Sequence, residues 1–379
     1  MLLLKTSYII ANLILPANVR SRHEYEGQMG QTQKLAVVGA GLVGQRHIAA
    51  ISQVPGVELV AVVEPGSTEQ TVPVYANLDA LFGATDVDGI ILSTPTLLHV
   101  EGAMACVAQG IPILIEKPLA ASADDAEGLV HAATAKGVPI LVGHHRRHNP
   151  IIQKTANLIK EGAIGQVRAA QVTCWFYKPD DYFDVAPWRK LAGAGPISVN
   201  LVHDVDLMRH FLGEVVTVQA QMAPSMRGFE NEDLAAAVLR FESGAVCTIT
   251  VSDSVVSPWS WELTSREYPI YPATNESCYL IGGSKGALSI PDMRLWQHEG
   301  GTSWWNPIKA TAMPVSSSDP LINQIAHFEE VIKGTAEPLV TGEEGLKTLR
   351  VVEAIQKAAQ TQSLVTISTP SEGSPRAVE

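Results

Sequence analysis

Three glycines, Gly39, Gly41 and Gly44, stand in G-x-G-x-x-G spacing directly after the apolar run at 35–38. The chemistry open to that spacing is backbone access to an anion. The first glycine permits a tight strand-to-helix turn, the second leaves no side chain between the main chain and a pyrophosphate, and the third lets the new helix lie close to the sheet. The free N–H groups of that helix, starting with Leu42 and Val43, then face the phosphates. Glu64 closes the next apolar run, VELVAVVE, about 20 residues further on, where a carboxylate accepts hydrogen bonds from ribose hydroxyls. No Arg or Lys sits beside it to offset repulsion of a 2′-phosphate. The cofactor expected from this edge is therefore NAD, with NADP disfavoured.

Further residues able to do chemistry fall at the ends of apolar runs. Thr94 and Pro95 follow the run at 87–93, and His99 begins the next helix. Glu116, Lys117 and Pro118 follow 111–115. Gly143 and the polar run His144, His145, Arg146, Arg147, His148, Asn149 follow 138–142. Ligands of open parallel sheets bind outside the carboxyl ends of the strands, so these residues are expected around one crevice with Glu64. Lys117 reads either as a solvated loop lysine or as an aimed ammonium; the X-Pro turn after it favours the second. The basic run reads either as a solvated rim or as a substrate-facing edge.

A third group lies in the segment 188–213, WRKLAGAGPISVNLVHDVDLMRHFLG. Gly193, Gly195 and Pro196 open a helix on which Val199, His203, Leu207 and His210 share a face. His203 there is either a hydrogen-bonded core histidine or a base, and Asp206 is either its partner or a neighbour of the helix dipole.

Two domains must carry these groups. The chain has 379 residues, 46% hydrophobic and 17% charged, with a net charge of −12. That balance argues against nucleic acid or an anionic membrane as partner and favours a small polar molecule. Cys106, Cys174, Cys247 and Cys278 are scattered without a C-x-x-C pair, so no disulfide framework and no metal site is expected. Buried thiols fit a reducing, cytoplasmic setting. Residues 1–33 hold an apolar stretch too short to span a bilayer and without a clean cleavage site, which reads as an extension outside the fold, a secretory signal being the alternative. The fold class expected is α/β: an N-terminal Rossmann dinucleotide-binding domain over 34–150, then an α+β domain over 151–367 with a large, mainly antiparallel open sheet. Its strands are expected at 167–177, 215–222, 234–241, 245–252, 277–281 and 287–290, and helices at 151–161, 321–333 and 343–360. Residues 368–379 read as a disordered tail. The second sheet is the expected surface for a homodimer or homotetramer.

With these residues in place the chain resembles the glucose-fructose oxidoreductase, inositol dehydrogenase and rhizopine catabolism family, Gfo/Idh/MocA. The likeness runs from about residue 34 to 367 and rests on GAGLVGQRH, STPTLLH at 93–99, EKP at 116–118, the glycine-rich entry to the His203 helix and the closing segment PLVTGEEGLKTLRVVEAIQKA. The resemblance implies hydride transfer between NAD(P) and a secondary alcohol or ketone of a small sugar, cyclitol or hydroxylated ring acid. It implies Lys117 and His203 as catalytic residues, and Gly39, Gly41, Leu42, Val43, Gly44, Glu64, Thr94, Pro95, His99, Glu116 and Lys117 along the cofactor. Arg147, Trp188, Arg189, Asn200 and His203 are the implied substrate contacts. Two other implied readings are a relative that cleaves glycosides with transiently used NAD and a non-catalytic NAD-binding sensor. One departure concerns substrate hydroxyls: the aspartate usual four residues before the histidine is Val199 here, with Asn200 beside it.

Overall fold

The computed structural model describes residues 30–367; the expectations for the N-terminal extension up to 29 and for the tail 368–379 fall outside the described residues. Gln33, assigned to the extension by sequence, is instead the buried first residue of β1 (Gln33–Val38). The first sheet continues with β2 (Val57–Val63), β3 (Val74–Tyr75), β4 (Gly89–Leu92), β5 (Ile113–Ile115) and β6 (Ile140–Val142). All pairings are parallel, in the order β3-β2-β1-β4-β5-β6. The order reverses between β1 and β4, which opens a crevice at the carboxyl ends of those two strands. Strands β5 and β6 begin two residues later than the apolar runs suggest, because Pro112 and Pro139 have no N–H to donate to the ladder.

Helices cover both faces. The first, α1 (Leu42–Ile51), follows the glycine loop, and α2 (His99–Gln109) follows a short 3₁₀ turn at Thr96–Leu98. The third, α3 (Ala123–Lys136), starts at Ser122, whose side chain accepts from the Asp125 N–H, and stops at Gly137 in the left-handed region.

Beyond α4 (Pro150–Lys160) the chain enters a nine-stranded sheet. Its strands are β7 (Val167–Trp175), β8 (Val215–Pro224), β9 (Glu232–Phe241), β10 (Val246–Ser252), β11 (Tyr279–Gly283), β12 (Ala287–Ile290), β13 (Arg294–His298), β14 (Ile308–Ala312) and β15 (Val365–Thr366). The order is β14-β13-β12-β11-β7-β10-β9-β8-β15, with β7 and β10 parallel and the other pairs antiparallel. Sequence patterning finds the six central strands and misses β13, β14 and β15. These lie at or beside the edges, and β14 has both faces open to solvent, so it carries little of the alternation that burial imposes.

The inner face of this sheet, with Val172, Ala237, Leu239 and Ile249, packs on α4 and on α5 (Val202–Leu212). The outer face leaves Leu234, Val238, Val246 and Leu280 exposed. After the sheet the chain turns back. Leu321, Ile325, Phe328 and Val331 of a helix at Pro320–Ile332 pack on Leu35, Val37, Ile91, Leu114 and Leu141 of the first sheet. The last helix, Gly342–Thr361, sends Leu346 and Leu349 to the first-sheet core and Val351, Val352 and Ile355 to the second. A division at residue 150 therefore assigns to the second domain a helix whose apolar face belongs to the first. Periodicity reveals that a helix has such a face, not which sheet receives it.

Candidate active site

The dinucleotide edge is made mostly of main chain. Gly39 has φ of +90°, and a Cβ there would stand 2.8 Å from the Ser93 carbonyl oxygen. A Cβ on Gly44 would come within 1.9 Å of the Gly39 carbonyl oxygen, so this glycine packs against the turn itself rather than the sheet. At Gly41 a Cβ would meet nothing within 4 Å; this side of the loop is open. Helix α1 has neither a side-chain cap nor an acid in its first turn, which leaves its positive end available to an anion. Leu42 and Val43 are exposed there. Glu64 is tied to the same loop: Oε2 accepts from the Ala40 N–H at 2.8 Å and Oε1 from the Gly66 N–H at 3.0 Å. An open backbone cradle with a carboxylate held beside it fits a dinucleotide.

The neighbouring strand ends supply the far wall. Thr94 presents a buried Oγ1 without a partner, and Pro95 is exposed. His99 is fully buried, with Nδ1 2.9 Å from the Pro118 carbonyl oxygen and Nε2 2.9 Å from that of Thr94. Burial holds its pKa below the ordinary value. Its ring thus lies between the two loops and, as a neutral imidazole, donates to one of the two carbonyls. Glu116 is likewise turned inward. Its Oε1 accepts from His47 Nε2 at 2.7 Å and its Oε2 from the Lys117 N–H at 3.2 Å. Although burial opposes ionisation, the hydrogen bond and charge of His47 hold this carboxyl down at about 2. Glu116 positions the loop and offers the cofactor no free oxygen of its own.

Lys117 reaches across to the second sheet's helices. Its Nζ donates to the Val199 carbonyl oxygen at 3.1 Å. Residues Ile197–Leu201 form a π-helical turn ahead of α5, a wider turn than the α-helix expected from sequence. His203, one residue into α5, is buried and keeps Nδ1 without a partner; the rings of His144 and His145 stand 5.9 Å and 5.2 Å from its centroid. Burial, then the charges of Lys117 and Arg146, drive its pKa well below that of an ordinary histidine, so the imidazole is neutral at pH 7. Burial, assisted by Arg146 and Lys178 and opposed by Glu116, brings Lys117 down to about 8. Asn200, in the π turn, has a buried Oδ1 without a partner.

Beneath this pair the basic run is not a solvated rim. Arg146, Arg147 and His148 are buried. Arg146 donates to Asp204 at 3.0 Å, to Tyr279 Oη at 3.1 Å and to Glu262 at 2.7 Å. Arg147 pairs with Asp206 through Nη2 at 2.7 Å and Nε at 2.8 Å. Its third nitrogen, Nη1, lies 3.3 Å from His210 Nδ1, so the whole guanidinium is occupied, which corrects the assignment of Arg147 as a substrate contact and gives Asp206 a partner other than His203. His145 donates to Glu267 at 2.9 Å.

A family profile described as oxidoreductase family, NAD-binding Rossmann fold, matches residues 33–144, and one described as GFO/IDH/MocA C-terminal domain matches 152–289. Among curated proteins, the 4-carboxy-2-hydroxymuconate-6-semialdehyde dehydrogenase of a Sphingobium species is 30% identical over 242 residues, covering 58% of this chain and 71% of its own. The chain belongs to the GFO/IDH/MocA oxidoreductase family. A second GFO/IDH/MocA relative, 1,5-anhydro-D-fructose reductase of Ensifer adhaerens, is 26% identical over 88% of this chain and 98% of its own. In fold the chain is similar to a crystallised oxidoreductase from Agrobacterium radiobacter in complex with NAD+, L-tartaric acid and magnesium, with a TM-score of 0.76 at 20% identity over 89% and 98% of the two chains. This GFO/IDH/MocA chain is thus an NAD-binding oxidoreductase. Among its described residues no helix is long and apolar enough to cross a membrane.

Around this cluster lie two more residues read from the sequence and several that sequence reading misses. Trp188 is exposed, and Arg189 lies with its guanidinium 4.0 Å from the Tyr182 ring and donates to the Tyr182 carbonyl oxygen at 2.6 Å. Among the described residues the structure records no contact of either with Lys117 or His203. A strap at 265–276 crosses toward α1: Arg46 sits 4.5 Å over the Tyr268 ring, and Tyr271 packs edge-on against Phe176 at 5.0 Å. Its base is closed by Arg266 to Asn275 at 2.6 Å. The only sequence signal for the strap is its two prolines, Pro269 and Pro272, each following a tyrosine, which mark a loop and not where it lands. Glu262, Asp204 and Lys178 also join the site without any periodic signal, because buried ion pairs are made between elements far apart in the chain.

Proposed function

We propose that this protein oxidises, or in reverse forms, a secondary alcohol of a small sugar, cyclitol or hydroxylated ring acid, with NAD as the redox partner. The observation that carries this reading is one cluster holding a neutral, partly unpartnered His203 and a desolvated Lys117 at the carboxyl ends of the first sheet. NAD, when bound along Gly39, Gly41, Gly44 and Glu64, supplies the hydride acceptor. The protein's own work is proton handling. His203 takes the hydroxyl proton on its unprotonated ring nitrogen, and the Lys117 ammonium stabilises the negative charge that develops on oxygen. A neutral imidazole is the form able to do this, and the nearby cations keep it neutral. Thr94 and Pro95 line the cofactor side, and Asn200, Trp188 and Arg189 contact substrate. The named substrates of the relatives, an anhydrosugar and a carboxylated semialdehyde, support a small polar molecule.

Subunits meet, in this reading, through the outer face of the nine-stranded sheet, where Leu234, Val238 and Leu280 are exposed; light scattering of the purified protein gives a dimer or tetramer if so. The four free, buried cysteines support a cytoplasmic setting. The deciding assay presents polyols, aldoses and hydroxy acids with NAD and NADP and follows reduced-cofactor absorbance. NADH formation with one class is the expected result. A protein that binds NAD yet reduces it with no member of any class overturns the reading.

A further inference from the structure

We propose that Glu262 is the carboxylate that selects the substrate, its Oε2 accepting a hydrogen bond from a hydroxyl of a polyhydroxylated molecule held over Lys117 and His203. This inference rests on the reading above and adds the recognition group that reading lacks. Position 199 holds a valine, whose side chain accepts nothing, and its carbonyl oxygen already takes the Lys117 ammonium. A hydroxyl acceptor must come from another element.

Glu262 has the geometry for it. It lies on the single helical turn Trp261–Thr264, fixed at its start by Ser260, whose hydroxyl accepts from the Leu263 N–H. The preceding residue is immobile: Trp261 is fully buried, stacks on Tyr279 at 5.7 Å and donates through Nε1 to Glu267 at 2.8 Å. One carboxylate oxygen is occupied, since Oε1 accepts from Arg146 Nη2 at 2.7 Å. The other, Oε2, is buried without a hydrogen-bond partner. The Glu262 charge bears on Lys117, Lys178 and Tyr271 on one side and on the buried Asp204, Cys174 and Cys278 on the other, so its carboxylate stands at the boundary of crevice and core.

The chemistry follows from that asymmetry. A carboxylate with one oxygen fixed by Arg146 is oriented, and its second oxygen is an unsatisfied acceptor in a desolvated place. It receives an O–H donor favourably and repels a substrate carboxylate at the same spot. Neutralising Arg146 does not explain Glu262, because Asp204 already pairs with that guanidinium at 3.0 Å. Asn200, whose Oδ1 is also unpartnered and buried, supplies a second, neutral acceptor on the π turn.

The test titrates myo-inositol, D-glucose and D-xylose into the enzyme–NADH complex by calorimetry, for the unmodified protein and for Glu262→Gln, which keeps an oxygen for Arg146. The expected result is binding of at least one probe and an affinity about 10–100-fold lower in Glu262→Gln, with NADH affinity unchanged. Monodeoxy forms of the bound probe discriminate recognition from packing: removal of the recognised hydroxyl weakens binding to the unmodified protein and adds little in the variant. If Glu262→Gln melts early, Glu262→Asp, shorter by one methylene, shows a loss in the same direction. Equal binding by protein and variant, or binding of none of the probes, overturns the proposal. The two readings fail separately. Glu262-dependent binding without NADH formation from NAD sinks hydride transfer alone, and NADH formation with a KM indifferent to Glu262 sinks the recognition role alone.

Discussion

The cofactor edge and the catalytic pocket adjoin, yet they are built on opposite plans. The edge uses main chain: Gly39 and Gly44 are demanded by contacts of 2.8 Å and 1.9 Å that any Cβ would make, and the anion is met by N–H groups. The pocket uses side chains from the ends of β5 and β6, from the π turn and α5, and from the Trp261–Thr264 turn, held by buried ion pairs. A site of main chain is local and leaves a fixed spacing in the sequence. A site of side chains is assembled by the fold and leaves only isolated residues. The lesson is that the first plan fails when a side chain is added at Gly39 or Gly44, whereas the second fails when a single charge is removed.

Replacing His203 should separate the two most strongly. His203→Ala is expected to lose about 10²–10⁴-fold in turnover, the usual contribution of a positioned base. NAD affinity should stay within about twofold, because the dinucleotide edge contains no atom of α5. Steady-state rates and NAD titration on one preparation decide it. Loss of NAD binding together with turnover would erase the distinction between the regions.

The buried pair comes next. Arg147→Met leaves Asp206 ionised without its bidentate partner, at an expected cost of about 3–5 kcal/mol in unfolding free energy. Against burial, His144 and Arg147 hold Asp206 down at about 2, from 3.8. A depressed carboxyl contributes stability that is present above its unfolded value and lost as pH falls through its folded value. The unmodified protein should therefore keep this contribution until pH falls between about 4 and about 2, and Arg147→Met should lose stability at higher pH. Chemical denaturation at pH 7 and pH 4 measures both. A variant as stable as its parent would return Arg147 to the surface reading.

These two residues show how far the sequence can be read. Gly39, Gly41, Gly44 and Glu64 were legible because their roles depend on main-chain geometry within one β-α-β unit. The central strands were legible because burial on one face imposes alternation, and the edge strands were not. His203 was legible as a candidate only, since helical spacing places it on an apolar face without naming its neighbours. Arg147 was misread because a run of cations on a loop has the same composition whether it meets water or buried acids. The acids that receive it, Asp204, Asp206 and Glu262, lie more than 50 positions away along the chain.

Lys117 sharpens the comparison through stability. Its ammonium is held in a place that brings its pKa from 10.5 to about 8, chiefly by burial. At pH 7 the folded and unfolded chains both carry the proton, and the fold bears the full desolvation penalty. Lys117→Met should then be more stable by about 1–3 kcal/mol after loss of the bond to Val199, and so melt at higher temperature, while turnover collapses. Between about 8 and 10.5 the folded parent releases its proton while the unfolded chain keeps it, so the parent gains stability and the advantage of the variant shrinks. Melting curves at pH 7 and pH 10 test the sign; a variant less stable at pH 7 refutes it.

The smallest expected effect belongs to the one side chain in the main-chain site. Glu64 touches the glycine loop through Ala40 and spans to Gly66, so two of its functions are separable. Glu64→Gln removes the charge but keeps an oxygen for the Ala40 N–H. It should weaken NAD by roughly five- to tenfold, about 1 kcal/mol, the difference between a charged and a neutral acceptor for ribose hydroxyls. Repulsion of a 2′-phosphate disappears with the charge, so NADP should improve while NAD weakens and the preference narrows from both sides. Glu64→Ser cannot reach Ala40 and should add a loss common to both cofactors, by loosening the loop that presents the N–H groups. Direct titration of NAD and NADP against the three proteins distinguishes the terms: the ratio reports charge, and the shared loss reports the loop. An unchanged ratio in Glu64→Gln would place cofactor choice in the backbone alone.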